Sequence, residues 1–148
     1  MADANSIKKI ARQRAGELKL PYAGALLPQE AHALMREGAK LIDVRTKAEL
    51  EWVGQVPGAL AVEWNGWPGG RPNADFIPQV ESLVAKDVPV MFLCRSGGRS
   101  HNAAAAAAKA GYKESYNVLE GFEGDKNSEG HRNTTGGWRV AGLPWVQG

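Results

Sequence analysis

The run Val88–Leu93 most constrains the fold of this chain, because its residues are apolar at consecutive positions. A strand with this pattern is typically covered on both faces, as in a parallel sheet between layers of helices. Strand-length segments and helical stretches alternate along the rest of the chain: strands at 40–45, 59–63 and 116–119, helices at 28–38, 46–53, 74–86 and 102–110. This alternation predicts an α/β fold built on a parallel sheet.

Length and charge exclude several classes of protein. The 148 residues suffice for one domain with its own core. The chain has 18 basic and 16 acidic residues, which gives a net charge of +2. This near balance argues against the dense basic face of a dedicated nucleic-acid-binding protein. The longest uncharged apolar stretch, the alanines at 103–108, is far too short to span a membrane. We therefore expect no nucleic-acid partner and no membrane association.

The N-terminal residues predict a helix. Apolar side chains recur near helical spacing within residues 5–20. The segment lacks the apolar core of a signal peptide, and Asp3 and Glu17 are acidic, which is unusual in an organelle-targeting peptide. We therefore expect a cytoplasmic protein with a helical N-terminal extension at 1–24 and one domain at 25–148.

Cys94 is the only cysteine, which excludes an internal disulfide and multi-cysteine zinc or iron–sulfur sites. It directly follows the most apolar strand and opens the turn Cys-Arg-Ser-Gly-Gly-Arg-Ser at 94–100. Parallel sheets bind their ligands at the carboxyl ends of strands. Gly97 and Gly98 permit backbone angles that let several N–H groups converge on one point. A reactive cysteine is favoured over a buried structural one.

Positive charge surrounds this turn. Arg95 and Arg99 carry full charges, and the following helix adds partial charge at its N-terminus. Such a field favours the nucleophilic thiolate over the thiol, and it stabilises an anion bound to the sulfur. The helix is expected to begin near Ser100, whose hydroxyl is a candidate both for capping the helix and for facing the sulfur.

Several segments together resemble the single-domain rhodaneses. They are Leu-Ile-Asp-Val-Arg at 41–45, Glu49, Val-Pro-Gly-Ala at 56–59, Phe-Leu-Cys-Arg-Ser-Gly-Gly-Arg-Ser at 92–100, and Gly-Trp…Gly-Leu-Pro within 137–144. The resemblance covers roughly residues 25–146, and the cysteine loop is its most specific part. It implies a rhodanese domain at 25–148 with a five-stranded parallel sheet flanked by helices on both faces.

The resemblance also implies sulfurtransferase chemistry through a persulfide on Cys94. The resemblance implies that backbone amides and side chains of the loop hold the outer sulfur of this persulfide. They belong to Arg95, Ser96, Gly97, Gly98, Arg99 and Ser100. Arg45 is expected to pair with Glu49 and to support the scaffold. No metal and no organic cofactor is required.

The two arginines of the loop favour a small anionic sulfur donor with two charges, such as thiosulfate. The expected acceptor is cyanide, a small thiol or a protein thiol. Two alternatives are a non-catalytic or sulfur-carrying rhodanese binding module, and a cysteine phosphatase or arsenate reductase. Four residues separate Cys94 from Arg99, whereas the phosphatase pattern has five, so sulfur transfer is favoured.

A few further residues bear on the site. For Trp64, Trp67 and Trp138, which lie in or beside loops, packing is favoured over a place at a pocket rim. His101 is predicted to lie on the surface. The long stretch at 121–137 follows a strand, so it is a candidate for part of a pocket wall.

Overall fold

A computed structural model describes residues 3–147 of the chain, in which five helices alternate with five short strands. The helices are α1 (Ala4–Leu18), α2 (Pro28–Arg36), α3 (Lys47–Trp52), α4 (Phe76–Leu83) and α5 (Gly98–Lys109). The strands are β1 (Gly24–Leu26), β2 (Lys40–Asp43), β3 (Leu60–Ala61), β4 (Val90–Leu93) and β5 (Ser115–Val118). None of these helices is both long enough and apolar enough to span a membrane.

The strands form one parallel sheet in the order β1-β5-β4-β2-β3. The central strand β4 carries the apolar run; its Leu93 lies beside Asp43 of β2, and its Phe92 lies beside Asn117 of β5. The predicted α/β fold with a five-stranded parallel sheet is confirmed. The residue pattern did not reveal β1, because three residues are too few to show a period.

Alternate residues of the central strands supply two cores, one on each face of the sheet. Leu41 and Met91 belong to the core that α1 and α2 cover. Ile42 and Phe92 belong to the core that α4 and α5 cover. Since both faces are covered, every residue of β4 is buried, which explains why its sequence is apolar at consecutive positions. The expected helices on both faces are therefore present.

Helix α1 packs closely on the edge strand β1. Its buried face consists of Ile7, Ala11 and Ala15. A Cβ atom on Gly24 would lie only 2.8 Å from the Cβ of Ala11, so the backbones of the helix and the strand are in direct contact. The small residues at these two positions are what permit this close approach.

A polar contact also joins α1 to the sheet. The guanidinium of Arg14 donates to the carbonyl of Ala25 on β1 at 2.9 Å, and it forms an ion pair with Glu30 of α2. The N-terminal helix is thus fixed to both neighbouring elements. The division into an extension at 1–24 and a domain at 25–148 stays a prediction, and its two outer ends lie outside the described residues.

Candidate functional site

The sulfur of Cys94 lies at the carboxyl end of the central strand β4, where the sequence predicts it. Cys94 is a free cysteine and is 1% exposed. Its Sγ accepts a hydrogen bond from the N–H of Gly97 at 3.1 Å, and the Oγ of Ser100 lies 3.3 Å away. Both polar groups lie against the sulfur, and the N–H of Gly97, which donates to Sγ, can stabilise negative charge there.

The loop enters helix α5 through Gly97. This residue has a φ of 111°, in the left-handed region that favours glycine. Because the chain turns there, α5 begins at Gly98, with Gly97 as its N-cap. The helix thus begins two residues before Ser100, and Ser100 is not its cap. Of the two roles considered for the Ser100 hydroxyl, the structure has the one in which it faces the sulfur.

A buried pair of hydrogen bonds beneath the loop holds Ser100 beside the sulfur. The Oγ of Ser100 donates to Oδ1 of Asn117 at 2.5 Å, and Nδ2 of Asn117 donates to the carbonyl of Gly97 at 3.3 Å. Asn117, on β5, thus binds both residues that contact the sulfur of Cys94. Asn117 was not among the predicted site residues; the signal that the sequence offers is an amide side chain inside the otherwise apolar segment Tyr-Asn-Val.

The turn after β5 supports the backbone of the cysteine loop. The N–H of Phe122 donates to the carbonyl of Cys94 at 2.8 Å, and the N–H of Glu123 donates to the carbonyl of Arg95 at 3.0 Å. Gly121 has a φ of 66°, and a Cβ atom there would lie 2.5 Å from the carbonyl carbon of Arg95. The first residues of the stretch at 121–137 therefore fix the position of the loop.

Arg99 is bound to Glu49 of α3. Its Nη1 and Nη2 donate to the two carboxylate oxygens at 2.7 and 2.9 Å. The hydrogen bonds to Glu49 raise the pKa of Arg99. Burial alone would raise the pKa of Glu49, but the hydrogen bonds from Arg99 and Thr46 outweigh burial and lower the pKa of that carboxyl to about 2. The charge of Arg99 is therefore balanced within the protein.

Arg45 forms a separate, buried ion pair with Asp43, so the expectation that it pairs with Glu49 is wrong. Its Nη2 donates to Oδ2 of Asp43 and to the carbonyl of Gly54, each at 2.8 Å. The carboxylate of Asp43 also accepts the backbone N–H of Arg45, because the two residues lie only two positions apart at the end of β2. The guanidinium stacks 4.2 Å from the ring centre of Phe122. Arg45 thus braces the end of β2, as a scaffold residue.

A pocket of about 460 Å³ opens beside the cysteine loop. Arg95 and Arg99 of the loop line it, and Glu123 contributes to another part of its wall. Two tryptophans also line it: Trp52 at the end of α3, and Trp67 in the loop after β3. Their exposed fractions of 71% and 67% are large for tryptophan.

The three tryptophans in or beside loops, Trp64, Trp67 and Trp138, have two different roles. Trp138 is fully buried and donates its indole N–H to the carbonyl of Pro144, and Trp64 packs edge-on against Phe76. Packing was the favoured role for all three, and Trp67 is the one that lines the pocket instead. Trp52 was missed, because a residue at the end of a short helix carries no signal that separates a pocket wall from ordinary surface.

His101 is the residue that follows Ser100 in α5. It is only partly exposed, and its Nδ1 lies 2.7 Å from the hydroxyl oxygen of Tyr22, on the segment between α1 and β1. His101 thus lies at the surface only in part, because its ring also contacts Tyr22. Nothing in the sequence near His101 indicates this contact, since its partner lies 79 residues away.

Comparison with known proteins agrees with this arrangement of a cysteine loop on a parallel sheet. The sequence pattern of the rhodanese-like domain matches residues 27–128. The chain belongs to the rhodanese-like family. An uncharacterized protein of Rickettsia conorii is 35% identical over 116 residues, which cover 76% of this chain and 86% of that protein. The family assignment made from the sequence motifs is thus confirmed.

The chain is also similar to a curated sulfurtransferase and to a protein of known structure. Thiosulfate sulfurtransferase 16, chloroplastic, of Arabidopsis thaliana is 33% identical over 94 residues, which cover 62% of this chain and 78% of that protein. The crystal structure of Rv0390 from M. tuberculosis superposes with a TM-score of 0.78 at 41% identity, over 86% of this chain and 99% of the other. These similarities support a role within the sulfurtransferase family.

Proposed function

We propose that this rhodanese-like protein is a sulfurtransferase of the thiosulfate:cyanide type, in which Cys94 carries the transferred sulfur. The observation that carries the proposal is the geometry around Sγ, where the N–H of Gly97 and the hydroxyl of Ser100 lie within 3.3 Å. The N–H of Gly97 supports a thiolate before the reaction and a persulfide anion after it, and the hydroxyl of Ser100 adds a second donor when it turns from Oδ1 of Asn117 to the sulfur.

The reaction takes place in two steps. The thiolate of Cys94 bonds to the outer sulfur of thiosulfate or a similar donor, and the sulfur–sulfur bond of the donor breaks with its electron pair leaving on sulfite. An acceptor nucleophile then takes the outer sulfur from the persulfide and restores the thiolate. Cyanide, a small thiol or a protein thiol serves as this acceptor, and no metal or organic cofactor enters either step. Action in the cytoplasm stays a prediction.

The loop contributes to donor binding in several ways. The exposed Arg95 lines the pocket and attracts an anion. The first turn of α5, which begins at Gly98, presents backbone N–H groups and positive partial charge beside the sulfur. Ser96 lies in the loop between Arg95 and Gly97, and its amide belongs to the same anion-binding turn.

Three observations speak against the alternative functions, two against a phosphatase and one against a non-catalytic module. A cysteine phosphatase needs an arginine free to bind phosphate oxygens, whereas Arg99 is bound to Glu49 through both terminal nitrogens. The Cys94-to-Arg99 spacing is also one residue shorter than the phosphatase pattern. A non-catalytic binding module has no need of the cysteine that this chain retains.

The proposal is tested by intact-mass spectrometry of the purified protein after incubation with thiosulfate. One added sulfur, ~32 Da, is expected on the wild type. The variant Cys94→Ser should lose both the added mass and the transfer of sulfur from thiosulfate to cyanide. Full transfer activity in Cys94→Ser would overturn the proposal.

A further inference from the structure

We propose that Tyr22 and His101 form a pair that positions the polar groups around the sulfur of Cys94. The phenol of Tyr22, held by His101, fixes the amide of Asn117. That amide in turn places the hydroxyl of Ser100 beside the sulfur. The inference rests on the proposed sulfur transfer and adds two positioning residues to the same site.

The two side chains of the pair make a direct polar contact. The hydroxyl oxygen of Tyr22 lies 2.7 Å from Nδ1 of His101, and the rings meet edge-on with their centres 5.3 Å apart. Burial raises the pKa of Tyr22, so the phenol keeps its proton and donates a hydrogen bond to Nδ1. His101 is itself fixed, because it lies in the first turn of α5 and its backbone N–H donates to the carbonyl of Gly97 at 3.1 Å.

Asn117 connects the pair to the sulfur. Burial raises the pKa of the Tyr22 phenol, and the side chain of Asn117 lowers it by less, which is the effect of a donor that faces the phenol oxygen. The amide nitrogen has two N–H groups, of which one donates to the carbonyl of Gly97 at 3.3 Å. Oδ1 accepts from the hydroxyl of Ser100 at 2.5 Å, and that oxygen lies 3.3 Å from Sγ of Cys94. A continuous chain of contacts therefore leads from the phenol to the sulfur.

The phenol matters because Asn117 is buried, with an exposed fraction of 3%. A buried N–H group that loses its partner is costly, so without the phenol the amide would shift toward another acceptor. Its Oδ1 would then leave the hydroxyl of Ser100, which would lose its fixed place beside the sulfur. Since polar groups assist a reaction most when they are already in position, bond formation at Sγ would become slower.

The segment between α1 and β1 places Tyr22 at this point. Lys19, the C-cap of α1, has a φ of 55° and ends the helix. Directly after Tyr22, the N–H of Ala23 donates to the carbonyl of Ser115 on β5 at 3.0 Å. Tyr22 therefore lies between two anchored residues. It also precedes the part of the chain that matches the rhodanese-like domain, so a segment outside that match contributes to the site.

The test measures the rate of persulfide formation. Protein is mixed with thiosulfate and quenched at intervals, and the intact mass is recorded. Tyr22→Phe removes only the hydroxyl and keeps the ring in the core. At saturating thiosulfate the rate should fall about two- to tenfold, the effect of one lost hydrogen bond. The thiosulfate concentration that gives half the maximal rate should change little, because positioning acts on the chemical step and not on donor binding.

Variants of His101 test whether the two side chains act as a pair. His101→Leu removes the acceptor of the phenol and should also slow persulfide formation. His101→Asn keeps an acceptor near the place of Nδ1 and should restore part of the rate. The double variant that combines Tyr22→Phe with His101→Leu should be about as slow as Tyr22→Phe alone, because the two side chains act through one hydrogen bond.

Tyr112→Phe is the matched control. Tyr112 is a second buried tyrosine of the same core, and its hydroxyl donates to the carbonyl of Val84 at 2.6 Å. It follows the C-terminal end of α5, the end opposite to the cysteine loop. Tyr112→Phe therefore also removes a buried hydroxyl, and it should retain the wild-type rate of persulfide formation.

The inference is overturned if Tyr22→Phe forms the persulfide at the wild-type rate, or if Tyr112→Phe slows it equally. It is also overturned if the losses of Tyr22→Phe and His101→Leu multiply in the double variant, because the two residues would then act independently. Failure of the proposed function gives a different result, since the wild-type protein would then gain no sulfur on Cys94.

Discussion

Glu49 binds Arg99 through both carboxylate oxygens, at 2.7 and 2.9 Å, across 50 residues of sequence. The carboxylate is itself fixed, because the N–H and the hydroxyl of Thr46 both donate to its Oε1 at 3.1 Å. The N-terminal turn of α3 is thereby tied to the cysteine loop. The ion pair therefore holds two walls of the pocket, α3 and the cysteine loop, in position relative to each other.

This ion pair predicts an acid-dependent loss of stability. The pKa of Glu49 is about 2 in the folded protein, compared with an ordinary value of 4.5. The carboxylate of Glu49 therefore stabilises the fold fully at pH values above the pKa that Glu49 has in the unfolded chain. This contribution to stability is lost as the pH falls through about 2. We expect it to be about 1–2 kcal/mol of the free energy of unfolding, after screening by water.

Urea denaturation between neutral pH and pH 2 measures the effect. Glu49→Gln should lose stability at neutral pH and show a flatter dependence on pH than the wild type. The control Glu51→Gln removes an exposed carboxylate from the same helix and should keep the wild-type dependence. An unchanged pH dependence in Glu49→Gln would contradict the assignment.

Asn117 is predicted to position the groups that contact the sulfur. In Asn117→Ala, the hydroxyl of Ser100 and the carbonyl of Gly97 lose a buried partner, so the free energy of unfolding should fall by about 1–3 kcal/mol. The rate of persulfide formation should also fall, by about tenfold or more, because the stabilising dipoles are no longer fixed.

A matched control separates positioning from stability. Ser115 is buried on the same strand, and its hydroxyl donates to the carbonyl of Ala104, away from the sulfur. Ser115→Ala should lose comparable stability and retain the wild-type rate of persulfide formation. Equal rates in the two variants would show that Asn117 has only a structural role.

Gly121 is predicted to tolerate no side chain. In Gly121→Ala the Cβ atom would meet the carbonyl of Arg95 at 2.5 Å, in addition to the cost of a positive φ, so we expect a loss of about 2–5 kcal/mol and reduced sulfur transfer. Gly130 also has a positive φ but has open space around it. Gly130→Ala should therefore cost only about 1–2 kcal/mol. Thermal unfolding of both variants measures the difference; equal losses would contradict the packing argument.

Phosphate esters are predicted not to be hydrolysed, because Arg99 is held by Glu49 and lies one position nearer to Cys94 than the phosphatase pattern requires. An assay with p-nitrophenyl phosphate at high protein concentration checks this expectation. Hydrolysis that disappears in Cys94→Ser would favour a phosphatase instead.

The parts of the site that are local in sequence could be predicted, and the parts that depend on distant contacts could not. The cysteine loop follows an apolar strand directly, so its place in the sheet was visible in consecutive residues. The partner of Arg99 depends on how α3 packs, and a motif that contains both Arg45 and Glu49 led to the wrong pair. Asn117 was missed because an amide side chain in a strand is only a weak signal, and the partners that give it a role lie 17 and 20 residues away in the sequence.

The docking of α1 has a consequence for aggregation. Edge strands expose unpaired backbone groups that recruit strands from other molecules. On the edge strand β1, the carbonyl of Ala25 accepts a hydrogen bond from the guanidinium of Arg14, and α1 packs against the strand. At the opposite edge, β3 is only two residues long and is too short to act as a template. The N-terminal helix thus protects the sheet from strand addition, and its loss would leave β1 open to intermolecular pairing.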